Sequence, residues 1–409
     1  MEVQKMVNSV ENYVKMLRRY FHEHPEVSMK EFQTMEKVKA EFQSMNMPYE
    51  VVPDGGIIGT IEGQGEGKTI MLRADLDALP VQEATNNLKQ PKKSVSKYDG
   101  VAHTCGHDAH MAMLLGAAKV LVHQRKHFNG KVLLVFEQGE EVGGGIFNLL
   151  KRLTEMDIDG VWGIHMKNDL PSGKISVDAG PRMAAAFPFH VKIKGKGGHG
   201  SRPDLATSPV DCFVDFYQKL MAMRLNSLNP HDPITFSVGM VSAGEAANVI
   251  PDEIEFSGTC RYLNVEQGRA AASELKRLLE ATCEVHQCQF EYVVEPIARD
   301  VLVYNQEDCV EIAKKSIDED KLASHPAWMA SEPFAFYQKY FPGVFAFLGT
   351  KNEELGTGAE HHNSHFDIDE DVLKMGVEAT VRYTLNFLKY DGEIHFEAET
   401  KSVEELFGK

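Results

Sequence analysis

The segment HTCGHDAH carries the densest ligating chemistry in the chain: Cys105 and His107 stand two residues apart, and Asp108 and His110 follow. Thiolate, imidazole and carboxylate are ordinary ligands of a borderline-soft divalent cation. One short segment cannot enclose a cation, so further ligands must come from elsewhere. Glu140 and Glu141 are adjacent in FEQGEEVGGG, and adjacent carboxylates at a strand end diverge, leaving one to bind metal while the other faces the reaction. His165 follows an apolar run in GIHM. Asp75 and Asp77, two apart on the extended segment LRADLDALP, project to one side, which suits an acceptor that fixes a ligand imidazole. Near the C-terminus, AEHHNSHFDIDED supplies His361, His362 and His365. Taken singly, each signal also fits a plainer role, such as a helix start, a solvated loop, a core histidine, a turn before Pro80 or a surface cluster. Together they supply ligands for two cations, and two ions roughly 3.5–4 Å apart polarise a carbonyl while a free glutamate moves protons.

These residues need a frame. TIMLRADL, KVLLVFEQ and GVWGIHM are nearly continuous apolar runs, with the helical pattern HMAMLLGAAKVLVHQ between the first two. Such runs suit strands buried on both faces of a mostly parallel sheet, whose active sites lie beyond the carboxyl ends of the strands. Asp75, Asp77, Glu140, Glu141 and His165 all follow such runs. Upstream, Val10, Tyr13, Val14, Leu17 and Phe21 fall at helical spacing until His24-Pro25 ends the segment. Ser28 with Glu31 has the form of a capping box ahead of a second helix, KEFQTMEKVKAEFQSM.

From residue 184 the pattern changes. FPFHVKIKG alternates with period two, and helix, strand, strand, helix and strand patterns follow, ending in QFEYVV, which is the ferredoxin-like order. Beyond Pro296 the mixed patterns resume, with PGVFAFLG a buried strand and DEDVLKMGVEATVRYTLNFL a final helix. The expected fold class is α/β: a mostly parallel-sheet di-metal catalytic domain over 1–183 and 295–409, discontinuous in sequence, with an inserted ferredoxin-like α+β domain over 184–294.

A length of 409 residues exceeds the roughly 250–300 at which one core stops growing, in keeping with two domains. Acidic residues outnumber basic ones 60 to 43, and a formal charge of −17 repels phosphate backbones and anionic lipid, so neither nucleic acid nor membrane is an expected partner. The six cysteines (Cys105, Cys212, Cys260, Cys283, Cys288 and Cys309) are too sparse for a disulfide framework. The N-terminus lacks a signal-peptide apolar block, and no stretch is apolar enough to span a bilayer. A cytoplasmic location is expected.

In order, LRADLDALPVQE, HTCGHDAHMAMLLGAA, GEEVGGG, GIHM, GKGGHGSRP, NVIPDEIEFSGTCR and HHNSHFDIDEDVL resemble the motifs of the M20 metallopeptidase family. The branch is that of aminoacylases, hippurate hydrolases and auxin-conjugate amidohydrolases. The resemblance implies an amidohydrolase acting on small N-acyl amino acids with two divalent ions per subunit, zinc or manganese first and cobalt or nickel open. It implies Cys105, His107, Glu141, His165 and His362 as ligands, with Cys105 bridging, Glu140 as general base and Asp77 as orienting aspartate. The inserted domain would be a lid and the contact of a homodimer, His199 would reach the partner subunit's active site, and Asn248 and Arg261 would face the substrate. The chain departs from the family at Glu137, Gln138 and Gly139, at Val142, at Pro333 and at His365. None of these removes a ligand. Two rivals stand beside this reading: a dipeptidase or aminopeptidase of the same family, and a binding dimer that keeps metal without turnover. The intact glutamate pair argues against the second, because a pure binding site has no use for an unliganded base.

Overall fold

The computed structural model describes residues 2–409. Helix α1 (Glu2–Glu23) buries Val7, Val10, Val14, Leu17 and Phe21 along one stripe and stops two residues before Pro25, whose ring disfavours helix at the preceding residue. Helix α2 (Phe32–Ser44) buries Met35, Val38 and Phe42. No capping box precedes it. Glu31 is the N-cap residue yet makes no side-chain cap bond, and Ser28 donates instead to Asp77, 49 positions away. A local four-residue pattern lost to tertiary partners.

The apolar runs form strands β3 (Thr69–Asp75), β4 (Lys131–Glu137) and β5 (Gly160–Pro171). β3 lies parallel to both β4 and β5, and β5 lies parallel to strand Gly343–Lys351. An antiparallel hairpin, β1 (Tyr49–Val52) and β2 (Gly56–Glu62), extends the sheet beyond β4, and the two-residue strand Ile175–Ser176 closes the other edge. The hairpin carries no strong sequence signal, because β1 is short and half exposed. His165 lies inside β5 rather than after it, since the strand runs on to Pro171. Helix α3 (His107–Gln124) packs against α1, the helix Leu373–Lys389 and the sheet. Its apolar residues surround it on every side, as burial on every side requires.

The chain's own contacts divide it into two units: one running to Gly180 and taking in Tyr304–Pro326 and Pro333–Lys409, the other Pro181–Val303 with Ala327–Glu332. Periodicity places the division at 184 and 294. Residues 295–303 join the second unit because Tyr262 Oη donates to the Arg299 carbonyl at 2.7 Å and accepts its N–H at 2.9 Å. Residues 327–332 join it through backbone bonds such as Ala184 N–H to the Ala330 carbonyl.

The second unit is an antiparallel sheet in the order Ile234–Ala243, Glu253–Tyr262, Ala185–Lys194, Gln289–Val294, with helices Pro209–Asn226 and Val265–Val285 packed on it. Ser208 and Asn264 cap those helices by accepting backbone N–H groups. Phe187, Phe189, Phe216 and Phe256 form its core.

Candidate metal centre

Parallel pairing sets the end of β3 beside the end of β4, with Asp75 opposite Glu137. Past β4 the chain enters a single 3-10 turn, Glu140–Val142, through Gly139 and leaves through Gly143, at φ of 63° and 60°. Only glycine takes that left-handed geometry cheaply. The glutamate pair therefore sits on a tight turn at the sheet's carboxyl edge, and His107 opens α3 in the same region.

Potential ligating atoms gather in four groups of three, one of them His107, Glu140 and Glu141, and two of the four share Cys105. Cys105, His107 and His165 form one, Cys105, Glu141 and His362 the other, and within each group all donor atoms lie within 4.8 Å of one another. Cys105 Sγ is 3.7 Å from His165 Nε2, and His362 Nε2 is 3.2 Å from Glu141 Oε1. His107 Nε2 stands 3.8 Å from both Glu140 Oε2 and Glu141 Oε1. Cys105, His107 and His165 are buried, whereas the His362 side chain is half exposed, so the cluster opens toward solvent on that side.

Hydrogen bonds settle the tautomers. His107 Nδ1 faces two acceptors, the Asp77 carbonyl at 2.9 Å and Asp77 Oδ1 at 3.2 Å, so Nδ1 carries the proton and Nε2 the lone pair. His165 Nδ1 donates to the Met166 carbonyl at 2.7 Å, which leaves its Nε2 lone pair toward Cys105. His107 Nε2 is buried with no hydrogen-bond partner among the described residues. Lone pairs, a sulfur and carboxylates converging on one volume repel unless a cation lies between them, and this mix of nitrogen, sulfur and oxygen suits a borderline-soft divalent ion. The donor set fits a metal pair. Burial pushes the Cys105 thiol well above its ordinary range. Burial opposes the charge on His107, yet Asp75 and Cys105 hold that imidazole well above its usual value, so without a cation Nε2 also takes a proton, which a metal must displace to use the lone pair. Burial, with His110 and His361 nearby, holds His165 well below.

Around this cluster lies a shell that holds it. Asp77 Oδ2 accepts from Ser28 Oγ at 2.7 Å and from the Glu141 N–H at 3.1 Å, so one aspartate ties the imidazole of His107 to the backbone of Glu141. Asp75, His107 and His110 also meet ligand-like spacing. Both His110 nitrogens are engaged, however: Nδ1 donates to Asp75 Oδ1 at 2.7 Å and Nε2 accepts the Met166 N–H at 2.9 Å. Arg73 bonds Asp75 and Glu137, and Tyr337 donates to Glu137. Against the burial that would raise it, His107, His110 and Arg73 hold the Asp75 carboxyl well below its ordinary range.

Asp108 turns away from the cluster to Arg18 at 2.9 Å and His22 at 2.8 Å. His22 meets Glu83, and Lys92 bridges Glu83 to the Ser364 carbonyl, which anchors the loop of His362. His362 itself has φ of 64° and donates its N–H to the Thr104 carbonyl. The three C-terminal histidines part company. His362 faces Glu141, His361 packs on His165 and Phe366, and His365 donates to the Asn86 carbonyl. Arg18, His22, Ser28, Glu31, Glu83 and Lys92 carry no sequence signal for this site, because nothing local distinguishes a buried charge from a surface one.

The second unit holds the other three expected site residues. His199 is exposed on a two-residue strand paired with Val249–Ile250, and its Nδ1 accepts from Ser201 N–H and Oγ at 3.1 and 2.8 Å, so the proton sits on Nε2. The Asn248 carbonyl accepts the Gly200 N–H at 2.8 Å, which places these two residues side by side. Arg261 lies on strand Glu253–Tyr262 and donates to the Met329 carbonyl at 3.1 Å.

Residues 71–386 match the family model described as peptidase family M20/M25/M40. The thermostable carboxypeptidase 2 of Saccharolobus solfataricus is 32% identical over 385 residues, covering 93% of this chain and 97% of that protein. The N-acetylcysteine deacetylase of Bacillus subtilis is 32% identical over 363 residues, covering 87% and 92%. A solved Bacillus subtilis structure, described as a dinuclear metal-binding peptidase of the M20 family, superposes with a TM-score of 0.81 at 29% identity, covering 93% and 99%.

Proposed function

The chain belongs to peptidase family M20/M25/M40, and from that premise we propose that it hydrolyses the amide bond of small N-acyl amino acids with two divalent cations per subunit. The observation that carries the reading is the pair of three-donor groups sharing Cys105, which leaves Glu140, itself at ligand-like spacing from His107 and Glu141, as a further carboxylate beside them. Cys105, His107, Glu141, His165 and His362 are the proposed ligands, with zinc or manganese the preferred ions and cobalt or nickel compatible with the donors. When bound, the ion pair supplies Lewis acidity at the amide carbonyl.

The protein's own groups do the rest. Glu140 takes a proton from the water that attacks the carbonyl carbon and delivers it to the nitrogen as the C–N bond breaks, which yields a carboxylic acid and an amine. Asp77 keeps the His107 proton on Nδ1. His199, with its N–H at Nε2, is suited to donate to the developing oxyanion in the partner subunit's active site, and Asn248 and Arg261 are the proposed substrate contacts. Carboxypeptidases and N-acyl amino acid deacetylases both cut an amide whose nitrogen belongs to an amino acid with a free carboxylate, the group an arginine recognises best. A dipeptidase or aminopeptidase would instead need an acidic subsite for a free α-amino group.

On the family resemblance we assign the inserted unit to homodimer contact and lid. Six cysteines, all buried and unpaired, support a reducing compartment such as the cytoplasm. Among the described residues no helix is long and apolar enough to cross a membrane.

The test is metal analysis of the purified protein, then assays of N-acetyl amino acids and free dipeptides with each ion restored. Glu140→Gln should retain two ions and lose about 10²–10⁴-fold in kcat. Unchanged turnover in that variant removes Glu140 as the base, and cleavage of dipeptides alone overturns the substrate class.

A further inference from the structure

The Glu140–Val142 turn is rich in glycine and has no side-chain cap, so its position must be imposed from outside. The segment between α1 and α2 supplies the grip. Glu31 Oε1 accepts the Gly139 N–H at 2.7 Å, and Oε2 accepts from the Gln138 amide at 3.1 Å. Met29, itself at φ of 63°, lies against the turn so closely that a Cβ on Gly139 or Gly144 would fall 2.6 or 2.3 Å from its sulfur. Ser28 reaches the middle of the turn through Asp77 Oδ2, which accepts the Glu141 N–H.

Glu31 is fully buried, and no cation pairs with it among the described residues. A carboxylate in that state is expensive to keep, and α2 gains no side-chain cap from it. Its two bonds go to the two residues that immediately precede the glutamate pair.

We infer that Glu31 is a positioning residue of this enzyme: by holding Gln138 and Gly139 it sets where the Glu140 carboxylate stands relative to the ligand cluster. The inference rests on the reading of Glu140 as the proton carrier. It assigns the α1–α2 connection, 28–31, to the catalytic apparatus rather than to helix capping.

Glu31→Gln keeps the size but replaces the charged acceptor of the Gly139 N–H by a neutral one and forces the Gln138 amide to turn over, so both bonds weaken. The expected result is a fall in kcat of about 10–100-fold, KM within about threefold, and two ions retained at saturating Mn²⁺. In the metal-free protein, amide exchange over residues 139–144 should quicken at least about tenfold. Combined with Glu140→Gln, Glu31→Gln should add no further loss, because it acts through that residue. Glu36→Gln, on the exposed face of the same helix, serves as the control and should leave kcat unchanged.

With Glu140→Gln inactive, a Glu31→Gln kcat within about twofold of the parent overturns the inference while leaving the base intact. Unchanged exchange over 139–144, or a loss that adds in full to that of Glu140→Gln, overturns it as well. An active Glu140→Gln sinks the base reading itself. Should Glu31→Gln fail to fold, Glu31→Asp keeps the charge but withdraws it by one methylene, and the expected fall is about 3–10-fold; parental kcat and exchange in that variant overturn the inference equally.

Discussion

Asp77→Asn discriminates between the two halves of the ligand cluster. The Asp77 carbonyl lies 2.9 Å from His107 Nδ1 and keeps the proton there whatever the side chain becomes. An asparagine must therefore turn its oxygen toward His107 and its NH₂ group toward the side now occupied by Oδ2. Ser28 adapts by rotating its hydroxyl, but the Glu141 N–H, now 3.1 Å from Oδ2, meets a donor. One hydrogen bond to a charged acceptor is lost, a loss of about 1.5–3 kcal/mol. That corresponds to about 10–100-fold in metal affinity, the range expected when an orienting partner of a metal ligand is removed. The loss should fall on the group containing Glu141 (with Cys105 and His362) and spare the group of Cys105, His107 and His165. Competitive titration of the metal-free protein against a chromophoric chelator resolves this: one site near parental affinity and one weakened. Equal weakening of both sites, or of neither, would refute the role given to the Asp77 side chain.

Lys92→Met leaves Glu83 buried with one cation fewer and frees Ser364, so we expect a loss of about 3 kcal/mol in urea unfolding together with weaker metal retention. Parental stability would show that the Lys92–Glu83 pair contributes nothing. Glu83 also gives an acid limb. Although burial would raise it, His22, Lys92 and the Ser96 N–H hold its carboxyl down at about 2 against 4.5 in the free group. As pH falls the unfolded chain takes up this proton first, so stability present above about pH 4.5 is lost toward about pH 2, up to about 3 kcal/mol in all. Glu83→Gln should flatten the pH dependence of the urea midpoint in that window, and an unchanged slope would rule out this source. Phe256→Ala, in the core of the second unit and 4.8 Å from the Phe213 ring, should cost about 3–5 kcal/mol of that unit's stability. Metal content should stay at the parental level, since every proposed ligand lies in the other unit; lost metal would contradict that separation.

Much of the frame was legible in the sequence. The runs at 69–76, 131–138 and 160–166 are apolar on both faces, and the structure makes them the parallel strands β3, β4 and β5. The alternation from Phe187 to Ile193 marks a sheet with one covered face, and those residues line the core of the second unit. The β1–β2 hairpin was not legible, because a four-residue strand with one buried side chain and a glycine-led strand carry no strong period. Ser28 and Glu31 misled for a related reason. Ser-x-x-Glu describes neighbours in the chain, while the partners that win both side chains come from 49 and 108 residues away.

The sequence by itself determined the kinds of candidate ligand, their order and the strands beside them, because residue type and hydrophobic period are local properties that backbone geometry converts directly into elements. Residue type and spacing left open, and tertiary structure decided, which histidine of three meets Glu141, which nitrogen of His107 faces the Asp77 acceptors, and that both His110 nitrogens are engaged. The physical reason is that a side chain's proton and direction follow from the acceptors around it. Those acceptors are the Asp75 carboxylate at the end of β3 and the Asp77 carbonyl just beyond it, 35 and 30 residues from the imidazoles they fix, and only the folded chain brings them within 3 Å.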